Sequence, residues 1–234
     1  MGIIEKIIKS DNHDSQNPDS DIYKWTCNFQ NENKFHGEYK IVYKDFLLVL
    51  EKQEGWEKQT VYDNDNISIS AKSIFTLADF IKNKQHKELD YQDVEKLIMD
   101  IGSQMVILKK YKKGLFFMNL EDIIVINERF FLLNSLEHVL NIDNKHINNN
   151  EQLKLTYPIT FSKFDKQFLA PELYYIDELP FISSISVGYY SLAKLCIFCL
   201  GLGDNIEPLM GSKMYYFLER CLETEPKDRF FLYI

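Results

Sequence analysis

The strongest constraint in this sequence lies in residues 90–133, where a long amphipathic helix runs directly into a two-stranded hairpin. Asp90 is placed to cap the helix, and Val94, Leu97, Ile98, Ile101, Met105 and Leu108 recur at helical spacing. Lys109, Lys110, Lys112 and Lys113 gather where the helix dipole is negative, and Gly114 reads as the stop. Residues 123–126 and 130–133 are apolar runs separated by Asn127-Glu128, which is a hairpin signal. A helix with one apolar face needs a core to cover it. A chain of 234 residues is long enough to supply one, as one large domain or two small lobes.

The remaining segments sort around this centre. Residues 9–34 are rich in Asp, Asn, Ser and Gln and read as a flexible polar arm. From 38 to 70 the pattern turns to strands, with 59–62 and 67–69 extended. Ser73 reads as the cap of a short amphipathic helix, and 141–151 as an Asn-rich loop. Beyond that loop the expectation is helical: an apolar segment at 187–200, a helix over 212–222 and a short one opened by Pro226. The class is therefore α+β, with a strand-rich part at 1–72 and a mainly helical part at 73–234.

Charge and composition narrow the function classes. The net charge of −8 argues against a nucleic-acid partner, whose phosphates call for a basic face. Residues 181–203 approach the length of a membrane span, but Lys194 sits in the middle at a cost of about 2.5–3.5 kcal/mol, so a buried central helix is expected. The first ten residues carry early charges and Lys6 where a myristoylation signal wants Ser or Thr, so no leader or lipid anchor is expected and the location reads as cytoplasmic. Cys27, Cys196, Cys199 and Cys221 do not form a disulfide framework and read as free thiols. Cys196-x-x-Cys199 lies in an apolar helix without a second ligand pair, and the five histidines show no ligand spacing, so no metal site is expected.

Three segments of the second part, in order, resemble the C-terminal lobe of a protein kinase. Leu169-Ala170-Pro171-Glu172-Leu173 resembles the Ala-Pro-Glu motif that closes the kinase activation segment. Gly188-Tyr189-Tyr190-Ser191-Leu192-Ala193 sits where the family carries Asp-x-Trp-Ser-x-Gly, with Gly188 in place of the aspartate. Cys221-Leu222 with Pro226 and Arg229 resembles the signature before the last kinase helix, and Arg229 is one of only three arginines against 24 lysines. The resemblance implies a buried ion pair between Glu172 and Arg229, 57 residues apart. The helix and hairpin also fit, because residues 120–135 resemble the stretch from the catalytic loop to Asp-Phe-Gly. The implied fold is a kinase-like two-lobe fold, with a reduced strand-rich N-lobe and a helical C-lobe.

Against that family's requirements the catalytic parts are degenerate. Phosphoryl transfer needs a Gly-rich loop, a strand lysine, a base aspartate and metal ligands. Only Gly2, Gly37 and Gly55 occur in the first seventy residues, too far apart for the loop. The base position falls on Asn119 in one register and on Phe117 in another, and neither accepts a proton near neutral pH. Asn134 stands where a carboxylate would hold Mg²⁺. Asp122 falls at the family's metal-binding asparagine and reads as a solvated loop residue with some capacity to coordinate. Lys44, in Ile41-Val42-Tyr43-Lys44, is the candidate strand lysine.

The expectation is thus a pseudokinase that acts as a binding or scaffold module toward a protein partner, with no cofactor beyond weak ATP and Mg²⁺ binding. Two alternatives stand beside it: an atypical active Ser/Thr kinase using Asp122, Glu121 or Asp165 as substitute carboxylates, and an assembly protein of a large DNA virus in host cytoplasm or virion.

Overall fold

A computed structural model describes residues 6–10, 22–28, 41–48, 60–63, 66–133, 138–143 and 151–233. Among these, helices and three antiparallel sheets mix, an α+β arrangement. The first sheet has the order β1-β2-β4-β3, from β1 (Lys6–Ser10), β2 (Ile22–Asn28), β3 (Thr60–Asp63) and β4 (Asn66–Ala71). Its register sets Ile7 opposite Trp25 and Trp25 opposite Ile69. The second sheet is β5-β7-β8, from β5 (Ile74–Thr76), β7 (Ile123–Ile126) and β8 (Arg129–Leu132). The third runs β11-β10-β9-β6, from β6 (Lys113–Leu115), β9 (Val139–Asp143), β10 (Gln152–Leu155) and β11 (Phe181–Ser184).

Five segments differ from the sequence expectation. Residues 41–48 form a helix, α1, where a strand was expected. The run is rich in β-branched and aromatic residues, but Val42, Tyr43, Phe46 and Leu47 are the buried positions, which is helical spacing. Lys44 therefore lies on a helix and does not supply a strand lysine. Residues 6–10 and 22–28, assigned largely to a polar arm, are paired strands; the seven residues of β2 were diluted by the polar residues around them. Ser73 is not a cap: β5 comes first, and α2 (Leu77–Lys82) starts at Thr76, whose hydroxyl accepts from Asp79 N–H at 3.1 Å. The segment from 151 onward is not wholly helical, because β10 and β11 pair within it ahead of α4. Of the expected 141–151 loop, 141–143 belong to β9 and 144–150 lie outside the described residues.

The central helix α3 (Tyr91–Lys110) starts as its cap residue dictates, with Asp90 accepting from Asp93 N–H at 2.8 Å. Its end is not set by Gly114. Lys112 takes the left-handed conformation (φ 58°) that turns the chain, and Gly114 lies within β6. There a Cβ would come within 2.7 Å of Leu153 Cδ2, so the Leu153 side chain lying over this position explains that glycine. The hairpin turn is Asn127-Glu128, both at positive φ, the pairing that suits a two-residue connection between twisted strands.

α3 also buries a polar stripe that the apolar periodicity conceals. Asp100 and Gln104, one turn apart, are fully buried. Gln104 Oε1 accepts from Leu132 N–H at 2.7 Å, its amide donates to the Phe130 carbonyl at 2.8 Å, and Asp100 accepts from Phe130 N–H at 3.0 Å. Two side chains thus complete the free edge of β8 as a neighbouring strand would. Arg129 pairs with Asp100 and neutralises it.

α4 (Val187–Cys199) runs through the core, with Leu192, Ala193, Leu195 and Cys196 fully buried. The stretch 181–203 therefore divides into β11 and α4, and among the described residues no helix is long and apolar enough to cross a membrane. A Cβ on Gly188 would sit 2.5 Å from the Leu115 carbonyl oxygen, so α4 crosses β6 at backbone contact. α5 (Lys213–Cys221) is capped by Ser212 and lays Met214, Phe217, Leu218 and Cys221 against the core.

Candidate functional site

The loop from β6 to β7, residues 116–122, is the place where sequence reasoning set the degenerate catalytic positions. Phe116, Phe117 and Met118 are buried and draw the loop inward. Phe117 meets Phe161 edge-on at 5.2 Å and His138 at 5.0 Å. In the register that puts the base at this position, an aromatic ring fills it. Met118 is fixed by one hydroxyl: its N–H donates to Ser191 Oγ at 3.0 Å, and Ser191 donates to the Met118 carbonyl at 3.1 Å. Gly188 allows that approach, since α4 lies close enough for a short serine to reach the loop.

Asn119 then closes the loop on itself. Its Oδ1 accepts from Glu121 N–H at 2.8 Å and from Asp122 N–H at 3.2 Å, while Asp122 Oδ2 accepts from Asn119 N–H at 2.7 Å. This is a reciprocal capping box on the 3-10 turn Leu120–Asp122. The Asn119 amide nitrogen donates to Asp165 Oδ1 at 3.1 Å. Asp165 Oδ2 accepts from Ser162 N–H at 2.9 Å, and Ser162 Oγ accepts from Asp165 N–H at 3.1 Å. Both Asp165 oxygens are therefore hydrogen-bonded.

Asp122 is not a solvated loop residue, as the sequence suggested. Only 3% of it is exposed, and its Oδ2 also lies 3.1 Å from His138 Nδ1. His138, one of the histidines without ligand spacing, is itself buried; nothing in its local sequence marks it, because the partner lies across the fold. Magnesium requires hard anionic oxygens that are free to reach it. Here Asp122 Oδ2 is already engaged by Asn119 and His138, and among the described residues no three His, Cys, Asp or Glu side chains are grouped to hold a metal ion. Among the described residues, the donors of this loop do not fit a magnesium site.

Lys44 lies half-buried on α1, beside Tyr43, whose hydroxyl donates to the Leu133 carbonyl at 2.8 Å. Asn134 falls outside the described residues. Cys196 and Cys199 are free, fully buried thiols, and burial pushes both well above the ordinary cysteine range, so they are packing residues and not a redox pair.

Glu172 and Arg229 form a bidentate ion pair, with Arg229 Nη1 to Oε1 at 2.7 Å and Nη2 to Oε2 at 3.0 Å. Arg229 also donates to the carbonyls of Glu223 and Thr224 and stacks over Tyr190 at 4.8 Å. The guanidinium thus makes four hydrogen bonds and one ring contact, and it ties the 3-10 turn Pro171–Leu173 to the chain after α5.

Compared with known proteins, the chain matches no protein-family model and no curated protein.

Proposed function

We propose that this chain is a kinase-like protein that has lost phosphoryl transfer, a pseudokinase that acts by binding a protein partner. Support for the kinase-like architecture comes from the Ala170-Pro171-Glu172 motif pairing through Glu172 with Arg229. The succession of α3, β6, a loop and the β7–β8 hairpin, followed by the buried α4, adds to it.

The observation that carries the functional reading is the closed state of loop 116–122. Asn119 and Asp122 spend their polar atoms on each other, on Asp165 and on His138. Phosphoryl transfer works by positioning and charge stabilisation, and it needs an unencumbered base and carboxylates facing the metal. An amide at Asn119 is no base, and a buried, engaged Asp122 is a poor metal ligand. The reading of an active kinase with Asp165 as base meets the same difficulty, since both of its oxygens accept hydrogen bonds.

Calorimetry with ATP tests this in three arms: Mg²⁺, Mn²⁺ and no metal. The expected result is no binding, or weak binding that does not depend on metal. Micromolar binding that requires the metal would overturn the reading.

A further inference from the structure

The segment that follows Arg229 is held in an unusual way. Arg229, Phe231 and Tyr233 turn inward, while Phe230 and Leu232 are exposed, an alternation typical of an extended chain. Among the described residues no backbone–backbone hydrogen bond holds 229–233. Side chains do the work instead. Arg229 is anchored on Glu172. The Phe231 ring lies 5.7 Å from Tyr189 and 5.3 Å from Phe217. The Tyr233 ring lies 5.6 Å from Phe217, and its hydroxyl donates to Glu95 Oε1 at 2.8 Å.

Two further features bear on what this segment covers. Gly102 sits in the middle of α3 with no turn to justify it, and a Cβ there would come within 2.3 Å of Phe231 Cζ. The glycine is a notch cut for the ring. On the other side, the Cys221 thiol donates to the Phe230 carbonyl at 3.7 Å, and Arg220 donates to the Leu232 carbonyl at 2.8 Å.

We propose that residues 229–233 are a latch, which opens as a unit from its Tyr233 end back to the Arg229 anchor and governs access to the Gly102 notch and to the Cys221 thiol. The anchors are graded. Arg229 is buried and bidentate, Phe231 is half-buried, and the Tyr233 hydroxyl bonds with Glu95 and Tyr91 at the rim. Exposed side chains at Phe230 and Leu232 and no ladder hydrogen bonds among the described residues are the marks of a segment that opens locally, below the threshold of global unfolding. Closed, the site is inert, since burial pushes the Cys221 thiol up to about 12 against the pull of Arg220 and Arg229. This inference is independent of the catalytic reading.

Gly102→Ala provides the test, because alanine favours the helix while its Cβ evicts Phe231. The full-length protein is labelled with a disulfide probe (a dithionitrobenzoate reagent), and each cysteine is followed by peptide mapping. Cys196 and Cys199, buried in α4, serve as internal references for global unfolding. In Gly102→Ala, and separately in Phe231→Ala, Cys221 is expected to react about tenfold faster than in the unaltered protein, a factor set by a modest shift in local opening. Cys196 and Cys199 are expected to hold their rates. An unchanged Cys221 rate in both variants would overturn the proposal, and so would equal acceleration of all three thiols.

Discussion

Single side chains in this protein settle questions that would otherwise fall to the backbone. Ser191 satisfies both the N–H and the carbonyl of buried Met118. Ser191→Ala is therefore expected to cost about 1–3 kcal/mol in urea unfolding, the penalty of leaving buried backbone groups unpaired; a loss below about 0.5 kcal/mol, the ordinary surface range, would contradict the assignment. Arg229→Ala removes the sole counter-charge to Glu172 among the described residues and strands the carbonyls of Glu223 and Thr224. The expected loss is about 3 kcal/mol, at the lower end for broken buried pairs because Glu172 keeps some solvent contact. That pair was legible in the sequence from a motif and a scarce residue type. Asp122 was not, because its burial depends on His138, which approaches from beyond the hairpin.

Elements are held by small numbers of side chains that cross between them. The helix at 41–48 is tied to α3 by Asp45, which accepts from Tyr111 O–H at 2.6 Å and from Lys110 Nζ at 3.1 Å. Burial pushes the Asp45 carboxyl up, but those two donors outweigh it, and the group titrates below the ordinary carboxylate range. A depressed value means that the ionised form stabilises the fold, fully above the ordinary carboxylate pKa and progressively less as pH falls through about 4 and below. Asp45→Asn is expected to remove that part of the acid dependence, leaving a flatter unfolding-versus-pH curve between about pH 5 and pH 2. An unchanged curve would show that the link carries no weight. Gly188→Ala is expected to destabilise by about 1–3 kcal/mol through overpacking, since the obstacle is the Leu115 backbone carbonyl and not a movable side chain.

Element type was legible where one period dominated, as in α3 and the β7–β8 hairpin. It was missed at 41–48, where β-forming residue types carried a helical spacing, and at β2, where a strand was embedded in polar sequence. Asp100 and Gln104 went unnoticed because polar residues on a helix read as its solvent face until a strand edge is found to need them.

At the scale of the whole molecule, a fold-holding framework and the candidate loop have opposite characters. The framework keeps its charges: Glu172 with Arg229, and Asp100 with Arg129. The loop at 116–122 has an aromatic ring and an amide at the positions where the resemblance would put an acid, and of its two carboxylates Asp122 is turned inward while Glu121 faces solvent. Fold and activity are separable properties, and the site decides the second. Transfer of labelled γ-phosphate from ATP, to the protein itself and to generic protein substrates with Mg²⁺ or Mn²⁺, tests that separation most directly. The expected result is no incorporation above that of an Asp122→Ala, Asp165→Asn double variant. Robust transfer by the unaltered protein, abolished in the double variant, would contradict the pseudokinase account.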